Sequence, residues 1–258
     1  MIRIGVAGWS IPRQLAHQFV TDGTHLERYA QALPCVEINS SFYRRHREAT
    51  YARWASSTPP PFRFAVKLPR TITHEHRLVG ARLLLDQFLE ETAGLGRKRG
   101  PVLVQLPPSL RFDARVAGRF FGAFRDRHDG PIACEPRHAT WFAASATQLL
   151  TRHHVARVAA DPASASGGDA PAAWTGLAYF RLHGSPRMYW SRYDQAFIDR
   201  LAQTLSDAAQ RGEVWCIFDN TAAGAAIENA FELRGRVRPA QLAPAKPQRS
   251  VSSASSTS

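Results

Sequence analysis

Short apolar runs, many of them β-branched, alternate along this chain with stretches whose apolar residues recur at helical spacing. Eight runs read as strands: Ile2–Ala7, Cys35–Asn39, Phe62–Lys67, Val102–Gln105, Ile132–Glu135, Val155–Asp161, Leu177–His183 and Val214–Asp219. Helical patterns fall between them, at Leu26–Leu33, Thr50–Ser56, Ala81–Leu95, Val116–Arg125, Thr147–His153, Gln195–Gln210 and Ala225–Leu233. The clearest is Ala81–Leu95, with Leu84, Leu85, Phe88, Leu89 and Leu95 on one face. Alternation of this kind implies parallel strands joined by right-handed crossovers. Eight strands and seven helices predict a single α/β domain, a TIM-type (β/α)8 barrel over residues 1–236. The competitor is an open doubly wound sheet, but no Gly-x-Gly-x-x-Gly follows the first strand.

Two stretches break the alternation. Pro162–Thr175, after the sixth strand, is rich in Ser, Ala, Gly and Pro and has no helical period. It reads as an irregular connection, either a mobile flap on the strand C-terminal face or a tolerated insertion. Beyond Val237 the chain turns Pro-, Gln- and Ser-rich, so 237–258 reads as a disordered tail.

Period-two alternation assigns sides within the strands. Phe62, Phe64 and Val66 face the helices, so Arg63, Ala65 and Lys67 face the barrel interior. The same rule points Glu37, Asn39, Trp9, Gln105, Glu135, Asp161, Arg181, His183 and Asp219 inward, each at or next to the end of its strand. Barrel interiors are mostly branched aliphatic residues, and catalytic groups come from strand C-terminal ends. The structural alternative is that Glu37, Glu135, Asp161 and Asp219 do no more than neutralise Arg63, Lys67 and Arg181. Around the fifth strand end, Pro131–Trp141 adds Arg137, His138 and Trp141, and Pro136 stops the ladder there. The following loops carry cations and rings: Tyr43 to Arg47, Arg70 to Arg77, and Arg187 to Tyr193. Rings that stack and arginines that grip phosphate suit an anionic ligand.

Composition sharpens this picture in three ways. The net charge is +12, which favours anionic partners. Nearly all of the excess is arginine, with only Lys67, Lys98 and Lys246 as lysines, so a lysine at a strand end suggests that a compact, deprotonatable head group matters there. Cys35, Cys134 and Cys216 lie in apolar runs with no Cys-x-x-Cys pattern, which fits reduced thiols and excludes a zinc ribbon. No apolar run approaches the roughly 20 residues of a membrane span, and the N-terminus is strand-like. The expected location is cytoplasmic, with no membrane partner.

On these residues the sequence resembles the domain-of-unknown-function 72 (YecE-like) family. The matching pieces are Gly5–Ser10, Val36–Tyr43, Phe62–Pro69, Ile72–His74, Val102–Pro108 with Leu110–Asp113, Glu135–Phe142, Arg181–Gly184 and Phe218–Asn220. The resemblance implies a TIM-type barrel and supplies no reaction. It implies a pocket of Glu37, Asn39, Lys67, Gln105, Glu135, Arg137, His138, Asp161, Arg181, His183, Asp219 and Asn220. The chain departs from the family pattern at Ala7, Pro136, Trp190–Arg192 and Thr221.

The functional expectation is an enzyme, a hydrolase or a proton-transfer isomerase, acting on a small anionic substrate that is phosphorylated or nucleotide-like. Its catalytic groups are Glu37, Lys67, Glu135, His183 and Asp219. Glu135 or Glu37 serves as acid or base with His183 as partner, and Lys67 and Arg181 stabilise negative charge. Trp9, Asn39, Tyr43, Gln105, Arg137, His138, Trp141, Asp161, Arg181 and Asn220 are its binding groups. A divalent metal held by Glu37, Glu135, Asp161, His183 and Asp219 is a variant, opposed by the cations on the same rim. A retaining glycosidase would need two carboxyl groups about 5 Å apart, and a Lys67 Schiff base would need a depressed lysine pKa. The alternative from another class is a non-catalytic nucleic-acid-binding protein using the basic face.

Overall fold

The computed structural model describes residues 1–245 of the chain. The expected strands form, as β1 (Ile2–Ala7), β2 (Cys35–Ile38), β3 (Arg63–Lys67), β4 (Arg99–Gln105), β5 (Ile132–Glu135), β6 (Val155–Arg157), β7 (Ala159–Asp161), β9 (Leu177–Leu182) and β10 (Glu213–Phe218). The expected sixth strand is β6 plus β7, interrupted at Val158. Its two halves serve different neighbours: β6 pairs with β5, and β7 pairs with β9. All other neighbours round the ring, from β9 through β10 and β1 to β5, are parallel. One broken strand thus spans both edges of the sheet and closes an α/β barrel of TIM type.

The irregular connection after β7 is not a flap over the rim. It folds back so that β8 (Ala172–Ala173) pairs antiparallel with β6, and Ala160 N donates to Gly168 O at 2.8 Å. It occupies the edge that β6 leaves free by not pairing with β9.

The helices are α1 (His25–Ala32), α2 (Ser40–Tyr43), α3 (Glu48–Ser56), α4 (Arg82–Thr92), α5 (Ala114–Arg125), α6 (Ala144–Arg152), α7 (Gln195–Ala208) and α8 (Ala225–Arg236). Their starts follow from local chemistry. Thr24 and Glu27 form a reciprocal capping box on α1, and Asp113 and Asp194 accept backbone N–H groups at the starts of α5 and α7. Among the described residues no helix is long and apolar enough to cross a membrane.

Two apolar layers result. The outer one, between sheet and helices, holds Ile4, Val36, Phe64, Val104, Phe180 and Phe218. The inner one fills the barrel with Cys35, Ala65, Leu103, Ala133, Ala156, Val158, Tyr179, Trp215 and Ile217. Tyr179 and Trp215 stack there at 6.2 Å, and the pair needs a gap in the wall opposite. Gly100 provides it, since a Cβ at that position would sit 2.7 Å from the Trp215 ring.

The domain boundary falls later than the composition suggested. Leu242 bridges to Ile2, Ala243 N donates to Ile2 O at 2.8 Å, and Val237, Ala243 and Ala245 are buried. Alanines and one leucine suffice to dock this stretch beside the start of β1, although prolines flank it. The rest of the expected tail, 246–258, lies outside the described residues.

Candidate functional site: a charge cluster at the strand C-terminal rim

Five strands deliver a compact network to one end of the barrel. Its hub is Arg181 on β9, which is completely buried. Its Nε and Nη2 donate to the two oxygens of Glu37 from β2, at 3.0 and 2.7 Å. Nη1 donates to Glu135 Oε2 from β5 at 2.7 Å, and Nη2 also reaches Asp219 Oδ2, just past β10, at 2.8 Å. Burial opposes the guanidinium charge, but Glu37, Glu135 and Asp219 together hold it firmly protonated. Tyr179 O–H adds a 2.8 Å bond to Glu37 Oε2, and burial with that carboxylate pushes its phenol pKa well up, so it stays a donor.

His183 stands above this hub. Its Nδ1 is 3.1 Å from Asp219 Oδ2, and its Nε2 is 2.9 Å from Glu135 Oε1. Arg137 Nη2 completes the group, 2.6 Å from Glu135 Oε1 and 2.8 Å from His183 Nε2. The ring bridges Asp219 at Nδ1 and the Glu135–Arg137 pair at Nε2: with a proton on Nε2 it donates to Glu135, and without one it accepts from Arg137. Burial would raise the Glu135 pKa, yet Arg181, His183 and Arg137 keep it well below the usual range. Asp219 is likewise lowered: burial is outweighed by Arg181, His183 and Lys67.

Lys67 is the exception. It closes β3 with its side chain inward and only 7% exposed, and among the described residues no carboxylate oxygen lies within 4.0 Å of its nitrogen. Nζ sits 4.1 Å over the centre of the Phe42 ring. Burial, then Arg181, pulls its pKa down to about 8, against the partial support of Glu37, Glu135 and Asp219. The structural alternative of a paired lysine is therefore not what the geometry shows. Ser41 Oγ donates to Lys67 O at 2.7 Å, tying this strand end to α2 and so to Phe42.

The remaining expected residues divide sharply. Arg137 joins the cluster. Gln105 stands at the end of β4 in register with Glu135, and Asn39 follows β2 with its Oδ1 sealed and unpartnered. Asn220 is buried but structural: its Nδ2 donates to Ser191 O and to Asn229 Oδ1, fastening the 184–194 loop to α8. Arg181 is present, but its N–H groups are committed to carboxylates, so it positions rather than binds. Asp161 faces the wrong way. Ala156 and Val158 point inward, so an odd offset places Asp161 on the helix side, where it accepts from Tyr193 O–H at 2.7 Å. Trp9 is also outside, packed edge-on against Trp54 at 5.0 Å, because Gly8 at φ 78° turns the chain before the alternation can continue. His138 accepts from Thr140 N and caps the short turn after β5. Trp141 is core, with its indole N–H on Leu110 O at 2.9 Å. Arg63 faces inward at the opposite end of the barrel and donates to Pro60 O and Phe62 O. Tyr43 is 73% exposed and lines an outer cleft with Arg45, Arg70, Ile72 and Phe88.

Sequence reasoning missed Tyr179, Phe42 and Asn229. Tyr179 shares the inward parity of Arg181, which was a usable signal. The other two reach the site through contacts that no spacing encodes.

Several rim arginines are already neutralised. Arg45 pairs with Glu91, Arg70 with Glu75 at 3.0 Å, and Arg192 with Glu228 and Glu232. Arg187 instead stacks on Trp190, 4.4 Å from the ring centre, on an exposed loop. Tyr189 from the same loop covers His183 edge-on at 5.8 Å. Among the described residues no group of three or more His, Cys, Asp or Glu has the arrangement to hold a metal ion. The carboxylates meet at a guanidinium, which fills the place a cation would need.

A match to the family described as "Protein of unknown function DUF72" runs over residues 3–251. The chain belongs to the DUF72 family. The YecE protein of Escherichia coli K12 is 35% identical over 110 residues, 43% of this chain; the match spans only 39% of that relative's length. The YunF protein of Bacillus subtilis 168 is 23% identical, with 90% of this chain and 93% of the relative aligned. The crystal structure of a DUF72 family protein from Enterococcus faecalis V583 superposes with a TM-score of 0.79 at 24% identity, covering 92% of this chain and 95% of that one. That likeness establishes the fold of the DUF72 chain; the geometry of the rim is read from its own residues.

Proposed function

We propose that this DUF72 protein is an enzyme that binds a small anionic substrate at the strand C-terminal rim and moves a proton there, with Lys67 as the working cation and base. The observation that carries this reading is the contrast inside the cluster: Arg181 and Arg137 are bound to carboxylates, whereas Lys67 is buried, without a carboxylate partner among the described residues, and has its pKa pulled down to about 8. A lysine in that state can neutralise a ligand anion or accept a proton. Asp219 and His183, hydrogen-bonded to one another, form the adjacent proton-holding pair. Between the two reaction classes, proton-transfer isomerisation is favoured over hydrolysis by a carboxylate pair. Glu37 and Glu135 both bind one guanidinium and leave no such pair free.

The test is a thermal-shift series with inorganic phosphate, glycerol phosphate, a nucleoside monophosphate and glyoxylate. One or more should raise the wild-type melting temperature, because a ligand that binds only the folded state stabilises it. The same anion should leave Lys67→Met unmoved. Equal shifts in both proteins would remove Lys67 from the binding step. The exposed Arg187–Trp190 stack keeps a nucleic-acid reading in view. Oligonucleotide binding with a steep salt dependence, unaffected by Lys67→Met and without small-anion binding, would put that reading ahead.

A further inference from the structure

We propose that Lys67 is a covalent site: a nucleophilic amine that condenses with the carbonyl of a small anionic aldehyde or keto acid. The inference rests on the reading that this rim takes a small anion, and it goes further by naming the bond formed.

The two lysines among the described residues are held in opposite ways. Lys98 has its ammonium clamped by three oxygens: Ala55 O at 2.6 Å, Thr58 O at 2.5 Å and Thr58 Oγ1 at 3.1 Å. Deprotonation there would forfeit charge-assisted bonds, and the nitrogen lone pair would face other lone pairs. Lys67 has no such acceptors among the described residues; its neighbour is the face of Phe42. Several polar atoms on the same rim are sealed and unpartnered, including Asn39 Oδ1, Arg137 Nε and Asn220 Oδ1, but Lys67 Nζ is not sealed among them. It is an amine at a barrel strand end, poorly solvated, unpaired among the described residues and 7% exposed. Its charged surroundings are Arg181, Glu37, Glu135 and Asp219, with His74 on the side of the 71–75 turn. Burial and Arg181 favour the neutral amine, so its lone pair is available near pH 8.

The chemistry balances without a further reagent. The neutral amine attacks the carbonyl carbon, and proton transfer from nitrogen to oxygen gives a carbinolamine. Protonation of the hydroxyl expels water as the nitrogen lone pair forms C=N. The resulting iminium withdraws electrons from the adjacent carbon, which makes a proton there removable. That is the link to the proton-transfer reading: once Lys67 carries the iminium, the proton passes to the adjacent Asp219–His183 pair instead of to Lys67.

The test uses glyoxylate with sodium cyanoborohydride as an external trap. Hydride delivered to the imine carbon leaves a stable carboxymethyl-lysine, located by peptide mass spectrometry. Peptide mapping separates Lys67 from the other two lysines of the chain and from the α-amine, which is also largely neutral at this pH. At pH 8 a lysine of pKa about 8 is half neutral, whereas an ordinary lysine is neutral to less than about 1%. Burial lowers the Lys98 pKa as well, but its ammonium is held by three oxygens, so Lys67 should still be labelled at least about tenfold faster than Lys98. Its rate should rise with pH and level off above about 8. Lys67→Arg, melting like the wild type, should lose this label only. Should Lys67→Arg fold poorly, Lys67→Met serves the same purpose. Labelling of Lys67 no faster than Lys98 would overturn the proposal. If that happens while small anions still stabilise the wild type and not Lys67→Met, the covalent step fails and the binding reading stands. Rapid, Lys67-specific labelling by neutral glycolaldehyde but not by glyoxylate would instead sink the anionic substrate.

Discussion

Both ends of the barrel interior hold an arginine, and the two are treated in opposite ways. At the N-terminal end of the strands, Arg3 bonds Glu213 at 2.9 Å and Pro61 O at 3.3 Å, and Glu213 is 38% exposed. Water can replace such partners at small cost. At the C-terminal end, Arg181 is fully buried and meets three carboxylates. Charges taken out of water to this degree cost several kcal/mol each unless the pairing is complete. The first end is a plug. The second is a frame, built to hold carboxylates and a histidine at fixed positions beside a lysine left unpaired.

Arg181→Met should produce the largest effect. It strands Glu37, Glu135 and Asp219 in the interior, and removing one partner of a buried ionic network costs about 3–5 kcal/mol. Arg3→Met should cost about 1 kcal/mol or less. Denaturant unfolding of both variants checks the ordering, and equal losses would break the comparison. Acid titration sharpens it. Glu135 and Asp219 are held below their ordinary values of 4.5 and 3.8. Lowered carboxylate pKa values contribute stability that is complete above those ordinary values and lost as pH falls through the lower folded ones. Without Arg181, burial dominates and raises both carboxylates, so acid unfolding should begin at higher pH.

Most of that frame could be read before any coordinates. Period-two parity placed Glu37, Lys67, Glu135, Arg181, His183 and Asp219 on one rim, because barrel strands are short and their inner faces leave few alternatives. Parity failed at Asp161 for want of a correct count from Ala156, and at Trp9 because a left-handed Gly8 ended the alternation. Trp141 and His138 show a different limit. Being near a polar strand end in sequence says nothing about whether a side chain turns back into the core or caps a turn. Nor could spacing tell that Arg181 is saturated and Lys67 unpaired, since occupancy depends on side chains from four other strands.

That occupancy gives the second prediction, of opposite sign. A lysine whose pKa falls from 10.5 to about 8 on folding is a cost at neutral pH. The unfolded chain binds more protons between those two values, so stability rises with pH across that window. Lys67→Met removes the cost and should stabilise the protein by about 1–3 kcal/mol at pH 7. The gain should shrink as pH climbs from about 8 towards 10.5, where the wild-type amine is neutral in both states. Urea midpoints at pH 7 and pH 10 measure it. A variant that is less stable at pH 7 would mean that Lys67 is a structural ion-pair partner after all, and the contrast within the rim would dissolve.

The smallest effect belongs to the plug end. Leu242 and Ala243 lie along the start of β1, one residue before Arg3, and Ser206 Oγ donates to Gln241 Oε1 at 3.3 Å, linking the same stretch to α7. Among the described residues, removing 238–258 takes away one backbone hydrogen bond to β1, the Ser206–Gln241 contact, and the burial of two alanines and part of a leucine. Net hydrogen bonds contribute about 1 kcal/mol, and the lost apolar contact is of the same order. A loss of about 1–2 kcal/mol corresponds to a fall of several degrees in melting temperature for a chain of this size. Removing only 246–258 separates the docked stretch from everything after it. If 238–258 can be removed with no change in melting temperature, the contacts beside Ile2 close nothing. The N-terminal end is then held by Arg3, Glu213 and the apolar layer alone. If the shorter truncation already gives the full loss, the stabilising contacts come from beyond Ala245, and the boundary of the domain moves again.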